Sequence, residues 1–147
     1  MSGVAARSAD KEKNTMNMTW KYKIDMKNLQ AFAEVEKLRG IRIPEELKNF
    51  VAEHNAATPE LHHFMVGATE RVFGAVLSFE KNETEADTVY PALEAVEDKN
   101  LLPFAIDPFG NYICYQLNEK QIVYWDHEND AVTTTGRSLK EFIESLY

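Results

Sequence analysis

Residues 101–127 read LLPFAIDPFGNYICYQLNEKQIVYWDH and contain three runs of β-favouring residues. The runs 111–117 and 121–127 alternate in polarity and are rich in β-branched and aromatic side chains, and the polar triplet 118–120 separates them. Two such runs joined by a short polar break predict a β-hairpin. Because a third apolar run, 101–106, precedes the hairpin, we expect three consecutive antiparallel strands.

The turn between the first two of these strands has the residues that a tight reversal requires. Pro108 removes a backbone donor and Gly110 can adopt positive φ. Asp107 ends the first strand, and its carboxylate can accept hydrogen bonds from amides of the 108–111 turn, an Asx-type role. The sequence therefore favours a structural role for Asp107.

Two helices are predicted before this sheet. Residues 26–38 have apolar positions at helical spacing, with Asp25 as a candidate N-cap and Gly40 placed to end the helix. A second helix is predicted to begin at Pro44, because proline is tolerated in a first helical turn.

The remaining elements complete a mixed fold. Strands are predicted at 62–66, at 71–79 and near 133–136, and a short helix at 89–96. Ser138 and Glu141 have the spacing of a capping box for a C-terminal helix. We predict a single α+β domain over residues 20–147, with an antiparallel sheet of five to six strands, N-terminal helices and a C-terminal helix packed around it. Residues 1–19 are polar and without periodicity, which predicts a disordered leader.

Four segments share a recognisable pattern: 40–48 (GIRIPEELK), 106–115 around the aspartate and glycine of the turn, 122–128 (IVYWDHE) and 138–143 (SLKEFI). Together they resemble the SUKH superfamily, which includes bacterial toxin-immunity proteins and fungal regulators of cell-wall assembly and killer-toxin resistance. The resemblance covers roughly residues 29–147 and implies structural roles for Asp107 and Gly110. Structural roles are also predicted for Gly40, Pro44 and Trp125. One departure is Ala56-Ala57, where the family usually has a pair of glycines.

Charge and composition limit the classes of function. Residues 51–147 carry six Lys or Arg and seventeen Asp or Glu, a net charge of −11. Such a surface repels nucleic acid and attracts a basic partner. No apolar run is long enough to span a membrane, and we expect no secretory signal. The single cysteine agrees with a reducing compartment, so a cytoplasmic location is predicted, with no prediction of oligomeric state.

No catalytic or metal site is predicted, and we expect no cofactor. His62 and His63 are adjacent in a predicted strand and should point to opposite faces, so they are not expected to chelate one ion. Cys114 and His127 lie in paired strands and could be neighbours, but nothing in the sequence activates the thiol. The acidic segment 126–130 lacks the glycine and the last glutamate of a calcium loop.

The candidate site is an acidic surface with an aromatic residue in it. Residues 80–99 hold seven acids and two lysines, a net charge of −5. An aromatic anchor with a charged rim is typical of protein interfaces. The predicted partner-binding residues are Glu80, Glu83, Glu85, Asp87, Tyr90 and Glu94, followed by Asp126, Glu128 and Asp130.

Three hypotheses of function remain. The first is an immunity protein that binds and neutralises a cognate secreted toxin without catalysis. Here the resemblance suggests the basic nuclease domain, a DNase or RNase, of an LXG-type toxin. The second is a regulatory adaptor linked to cell-wall synthesis, as in the fungal members. The third, and least favoured, is a hydrolase that uses Cys114 and His127.

Overall fold

The computed structural model describes residues 18–147, so nearly all of the predicted leader lies outside the described residues. The elements follow one another as β1 Trp20–Lys21, α1 Ala31–Arg39, α2 Glu45–Glu53, β2 Thr58–Pro59, β3 His63–Val66, β4 Thr69–Val72, β5 Ala75–Val76, α3 Val89–Ala95, β6 Leu101–Ile106, β7 Tyr112–Gln116, β8 Gln121–Asp126, β9 Ala131–Arg137 and α4 Leu139–Glu144. Within residues 18–147, none of the helices combines the length and apolar character that crossing a membrane requires.

A five-stranded antiparallel sheet in the order β5-β6-β7-β8-β9 forms the centre of the domain. The predicted meander of three strands is confirmed as β6, β7 and β8, and the predicted edge strand is β9. Two small antiparallel sheets, β1-β2 and β3-β4, complete the structure. The α+β class is therefore confirmed.

The two faces of the central sheet bury different sets of side chains. The alternation of β7 and β8 sends Ile113, Tyr115, Ile122 and Tyr124 into the main core, where they pack with residues of all four helices. The residues between them, Cys114, Val123 and Trp125, form a smaller cluster on the other face with Val96 and Leu101. Both faces of the hairpin are thus buried.

Three helix boundaries follow the local signals in the sequence. Gly40 ends α1 in the left-handed conformation at φ 73°, and its amide donates to the carbonyl of Glu36. The carbonyl of Pro44 accepts from the amides of Leu47 and Lys48 in the first turn of α2. At α4, the Ser138 hydroxyl and the Glu141 carboxylate exchange hydrogen bonds with each other's backbone amides, which confirms the capping box.

Two predicted boundaries are wrong. The first helix begins at Ala31 and not near residue 26, because the side chain of Asn28 accepts from the Gln30 amide and turns the chain there. Leu29, one of the apolar positions that predicted this helix, precedes α1 and is 93% exposed.

The strand predicted at 71–79 is broken into β4 and β5, which belong to different sheets. The break lies at Gly74, where a Cβ atom would stand 2.6 Å from the carbonyl oxygen of Ile106. Only glycine permits this approach of the two backbones.

Candidate partner-binding surface

Glu80, predicted as a surface acid, is buried, and this correction removes it from the candidate site. Its side chain Oε1 accepts hydrogen bonds from the backbone amides of Lys27 at 2.9 Å and Asn28 at 2.7 Å. The residue is 8% exposed. Because a buried carboxylate needs such donors, Glu80 holds the segment before α1 in place and does not present its charge to a partner.

The other acids of the first segment are accessible. Glu85, Asp87 and Glu94 are exposed and Glu83 is partly exposed, with its Oε2 accepting from the Glu85 amide at 2.9 Å. Their loop forms one wall of an open cleft of about 470 Å³ lined by Lys27, Asn28, Glu34 and residues 80–85. The cleft carries carboxylates from both the loop and α1.

Tyr90, the predicted aromatic anchor, is only half-accessible. Its ring packs partly against the main core, and this burial raises the pKa of its hydroxyl. The Lys81 ammonium lies 5.9 Å from the centre of the ring, within the range of a cation–π contact. Part of the side chain is therefore committed to the fold and to Lys81.

The second acidic segment forms the turn between β8 and β9. Asp126 is half-buried and its Oδ1 accepts from the Glu128 amide at 2.9 Å, while Glu128 is exposed. Asp130 has a positive φ of 58°, and its carboxylate accepts from the indole N–H of Trp125. Trp125 is thus buried with its one polar atom satisfied.

The structure brings the two acidic segments together. A pocket of about 200 Å³ is lined by Glu97 and Asp98, which follow α3, and by Asp130, with the apolar residues Val96, Leu101, Trp125 and Val132 between them. The Tyr112 ring stacks on Trp125 at 5.7 Å, beside this pocket. The surface around the pocket, from here called the joint acidic face, comprises Glu97, Asp98 and Asp130.

A buried polar network ties the turn after β6 to the end of β8. The Asp107 carboxylate accepts from the amides of Phe109 and Asn111, from the Asn111 side chain and from the Tyr124 hydroxyl, at 2.6–3.0 Å. The Asn111 side chain oxygen accepts in turn from the His127 amide at 2.9 Å. Gly110, at φ 90°, completes the turn beside the His127 ring.

Cys114 and His127 are not neighbours in the structure. Cys114 is paired with Val123 across the hairpin, and His127 lies four residues further along, roughly 13 Å away at the usual strand rise. Cys114 is fully buried among apolar residues, which raises the pKa of its thiol. A cysteine and a histidine are both present, but they lie too far apart for the imidazole to activate the thiol.

The two adjacent histidines do not point to opposite faces of a strand, as the sequence predicted they would. His62 lies just before β3, and its ring contacts the His63 ring with centres 4.4 Å apart, so the side chains do not point to opposite faces. Among the residues that the structure describes, no three His, Cys, Asp or Glu side chains are grouped so that they could hold a metal ion.

Two prominent residues carried no functional prediction in the sequence. Arg39 is buried, and its guanidinium donates to the carbonyls of Leu93, Val96, Asp98 and Leu101, which joins α1 to the segment after α3. Phe109 lies at the tip of the turn after β6 and is 70% exposed. The exposure of Phe109 could have been predicted from its place between Pro108 and Gly110, because turns of this kind lie on the surface.

A comparison with protein-family models matches residues 29–143 to the SUKH family described as SMI1-KNR4 cell-wall. The match covers most of the chain and includes the central sheet, so the chain belongs to the SUKH superfamily. No curated protein is similar enough to the chain to count as a match.

Proposed function

We propose that this member of the SUKH superfamily is an immunity protein, which binds a cognate secreted toxin inside the producing cell and neutralises it. Membership of the superfamily, whose proteins commonly bind toxin partners, supports this proposal. The partner that we infer is the basic nuclease domain of an LXG-type toxin.

The joint acidic face is the observation that carries the proposal. Its carboxylates come from two segments that lie far apart in the sequence, and they surround the pocket beside Trp125 and Val132. A nuclease must bind phosphates with basic groups, and a surface of fixed carboxylates competes for the same groups. The attraction would also raise the rate of encounter with a basic partner.

Inhibition is proposed to occur by contact and without chemistry. The register of the hairpin separates Cys114 from His127, and burial raises the pKa of the thiol, so these residues do not support a hydrolase. An inhibitor needs only a stable complementary surface, which the rigid sheet and its turns provide.

The proposal is tested with the product of the gene directly upstream, whose C-terminal domain we expect to be the toxin. Expression of that domain alone should stop growth, and coexpression of this chain should restore it. The purified chain should bind the purified toxin domain in a stable complex. Growth arrest that persists despite soluble, folded chain, together with no binding, would contradict the proposal.

The contribution of charge is tested by reversing exposed acids. Replacing Glu85, Asp87 and Glu94 by lysine should slow association and flatten its dependence on salt, because salt screens such attraction over roughly 8–10 Å. Glu144→Lys, at an exposed acid of α4 on the main-core side of the sheet, is a control with a single reversal. Unchanged association in the triple variant would show that these acids only solvate the surface.

A second candidate function is a regulatory adaptor in cell-wall synthesis, favoured by the cell-wall description of the matching family. The genomic neighbourhood discriminates between the two. A toxin gene directly upstream supports immunity. An isolated gene beside wall-synthesis enzymes, with a wall defect on deletion and no protection against any toxin, supports the adaptor.

A further inference from the structure

Phe109 is an exposed aromatic side chain on a turn that buried hydrogen bonds hold in place. The turn joins β6 to β7, and 70% of the residue is exposed. Its own amide is fixed, since it donates to the Asp107 carboxylate at 2.8 Å. The turn is therefore ordered without any contribution from the Phe109 side chain.

The rigidity comes from buried polar groups on both sides of the turn. Asp107 is bound by the Asn111 amide and side chain and by the Tyr124 hydroxyl, and Asn111 also binds the His127 amide. Gly74, between β4 and β5, packs against the backbone at Ile106 and Asp107. A side chain on such a support loses little conformational freedom when a partner covers it, which favours tight binding.

The charge beside Phe109 decides which partner fits. The turn after β6 lies against His127, and the charged side chains of the turn 126–130 are all acidic: Glu128 and Asp130 are exposed and Asp126 is half-buried. A second copy docked symmetrically through these turns would place acids against acids, and a membrane with anionic lipids or a nucleic acid would be repelled. A protein with a basic rim around an apolar pocket is the complementary partner.

We infer that Phe109 is the central anchor of the toxin contact, with its ring inserted into an apolar pocket of the toxin and Glu128 facing the basic rim of that pocket. This inference rests on the proposed function and names the contact that it requires. Tyr90, the other aromatic residue among surface acids, is a weaker anchor because its ring packs against the core and Lys81. Phe109 is not among the residues that pack against the core.

The test uses the purified C-terminal domain of the product of the gene directly upstream, and measures both rate constants for its binding. Phe109→Ala should weaken binding roughly 10–100-fold, mainly through faster dissociation, as removal of a buried aromatic anchor does. Glu128→Lys should act mainly on association, and its effect should shrink at high salt. Leu29→Ala, which removes another exposed apolar side chain, and Glu119→Lys, at the other end of the hairpin, should change neither rate.

The other possible results distinguish a failure of the inference from a failure of the proposed function. Thermal unfolding of Phe109→Ala should match that of the unchanged protein, because the ring contributes little to the core. If the unchanged protein binds the toxin and Phe109→Ala binds within about twofold of it, the inference is overturned and the proposed function stands. If the unchanged protein does not bind, both are overturned. A Phe109→Ala variant that loses self-association in sedimentation would assign the turn to a second copy and also overturn the inference.

Discussion

Asp107→Ala should destabilise the domain more than any other single change in the turn after β6. The carboxylate is the common acceptor of four donors, and its residue is only 4% exposed. The Phe109 amide lies near the surface and can turn to water. The Asn111 amide, the Asn111 side chain and the Tyr124 hydroxyl cannot do so without opening the network.

The magnitude follows from these three buried donors. A buried donor left without a partner costs about 1–3 kcal/mol, and hydrogen bonds to a charged acceptor are at the upper end. Water entering the vacated space offsets part of the sum, so we expect a loss of about 3–5 kcal/mol in the free energy of unfolding. Tyr124→Phe removes one donor and leaves three, so about 1–2 kcal/mol is expected there.

Urea unfolding measures these losses as changes in midpoint at constant slope. Asp126→Ala is the matched control, because Asp126 also accepts a backbone amide two residues on, at 2.9 Å, but in an exposed turn. We expect a loss below about 1 kcal/mol for this control. A loss for Asp107→Ala no larger than that for Asp126→Ala would refute the interpretation of the network as a structural support.

Four further outcomes are expected. Burial raises the pKa of Tyr115 and Tyr124, so at a pH above the unfolded pKa near 10 only the unfolded chain releases these protons. The free energy of unfolding should therefore fall with rising pH, by up to about 1.4 kcal/mol per pH unit for each tyrosine. Tyr124→Phe should reduce this slope when unfolding is measured at alkaline pH. Ala56→Gly should stabilise the domain by up to about 1 kcal/mol in urea unfolding, because Ala56 has a positive φ of 67°. Arg39→Met should cost about 2–4 kcal/mol by the same assay, because buried carbonyls lose their donor. Cys114 should react with a thiol reagent only after unfolding, and Cys114→Ala should leave toxin binding intact.

The central hairpin and the last helix could be predicted because their signals are local. Alternation over five to seven residues sets which face of a strand is buried, and the capping box needs only Ser138 and Glu141. Gly40 and Gly110 both adopt the positive φ expected of a glycine at a helix end or in a tight turn. Ala56 stands where the family usually has glycine, and its backbone keeps a positive φ of 67°, so here the conformation could not be predicted from the residue type.

The candidate site could be predicted only in part, because its contacts are distant in sequence. Glu80 looks like its acidic neighbours, yet it binds amides more than fifty residues away. Nothing in the spacing of Asp98 and Asp130 indicates that they line one pocket. Their proximity depends on the path of β8 and β9 across the sheet and on Arg39, which holds the carbonyls of the segment after α3.

Carboxylates and Phe109 would act at different distances from the partner. The charges of the joint acidic face act before contact, over about a Debye length, so they can set the encounter rate while remaining hydrated. Hydrated rim charges add little to the lifetime of a complex. A side chain that is covered on binding would have to supply the lifetime, and Phe109 is the exposed aromatic residue of the turn after β6, with its backbone amide bound to Asp107. If Phe109 is the anchor, Asp107 would link stability to recognition, because the network that resists unfolding would also keep the anchor in place.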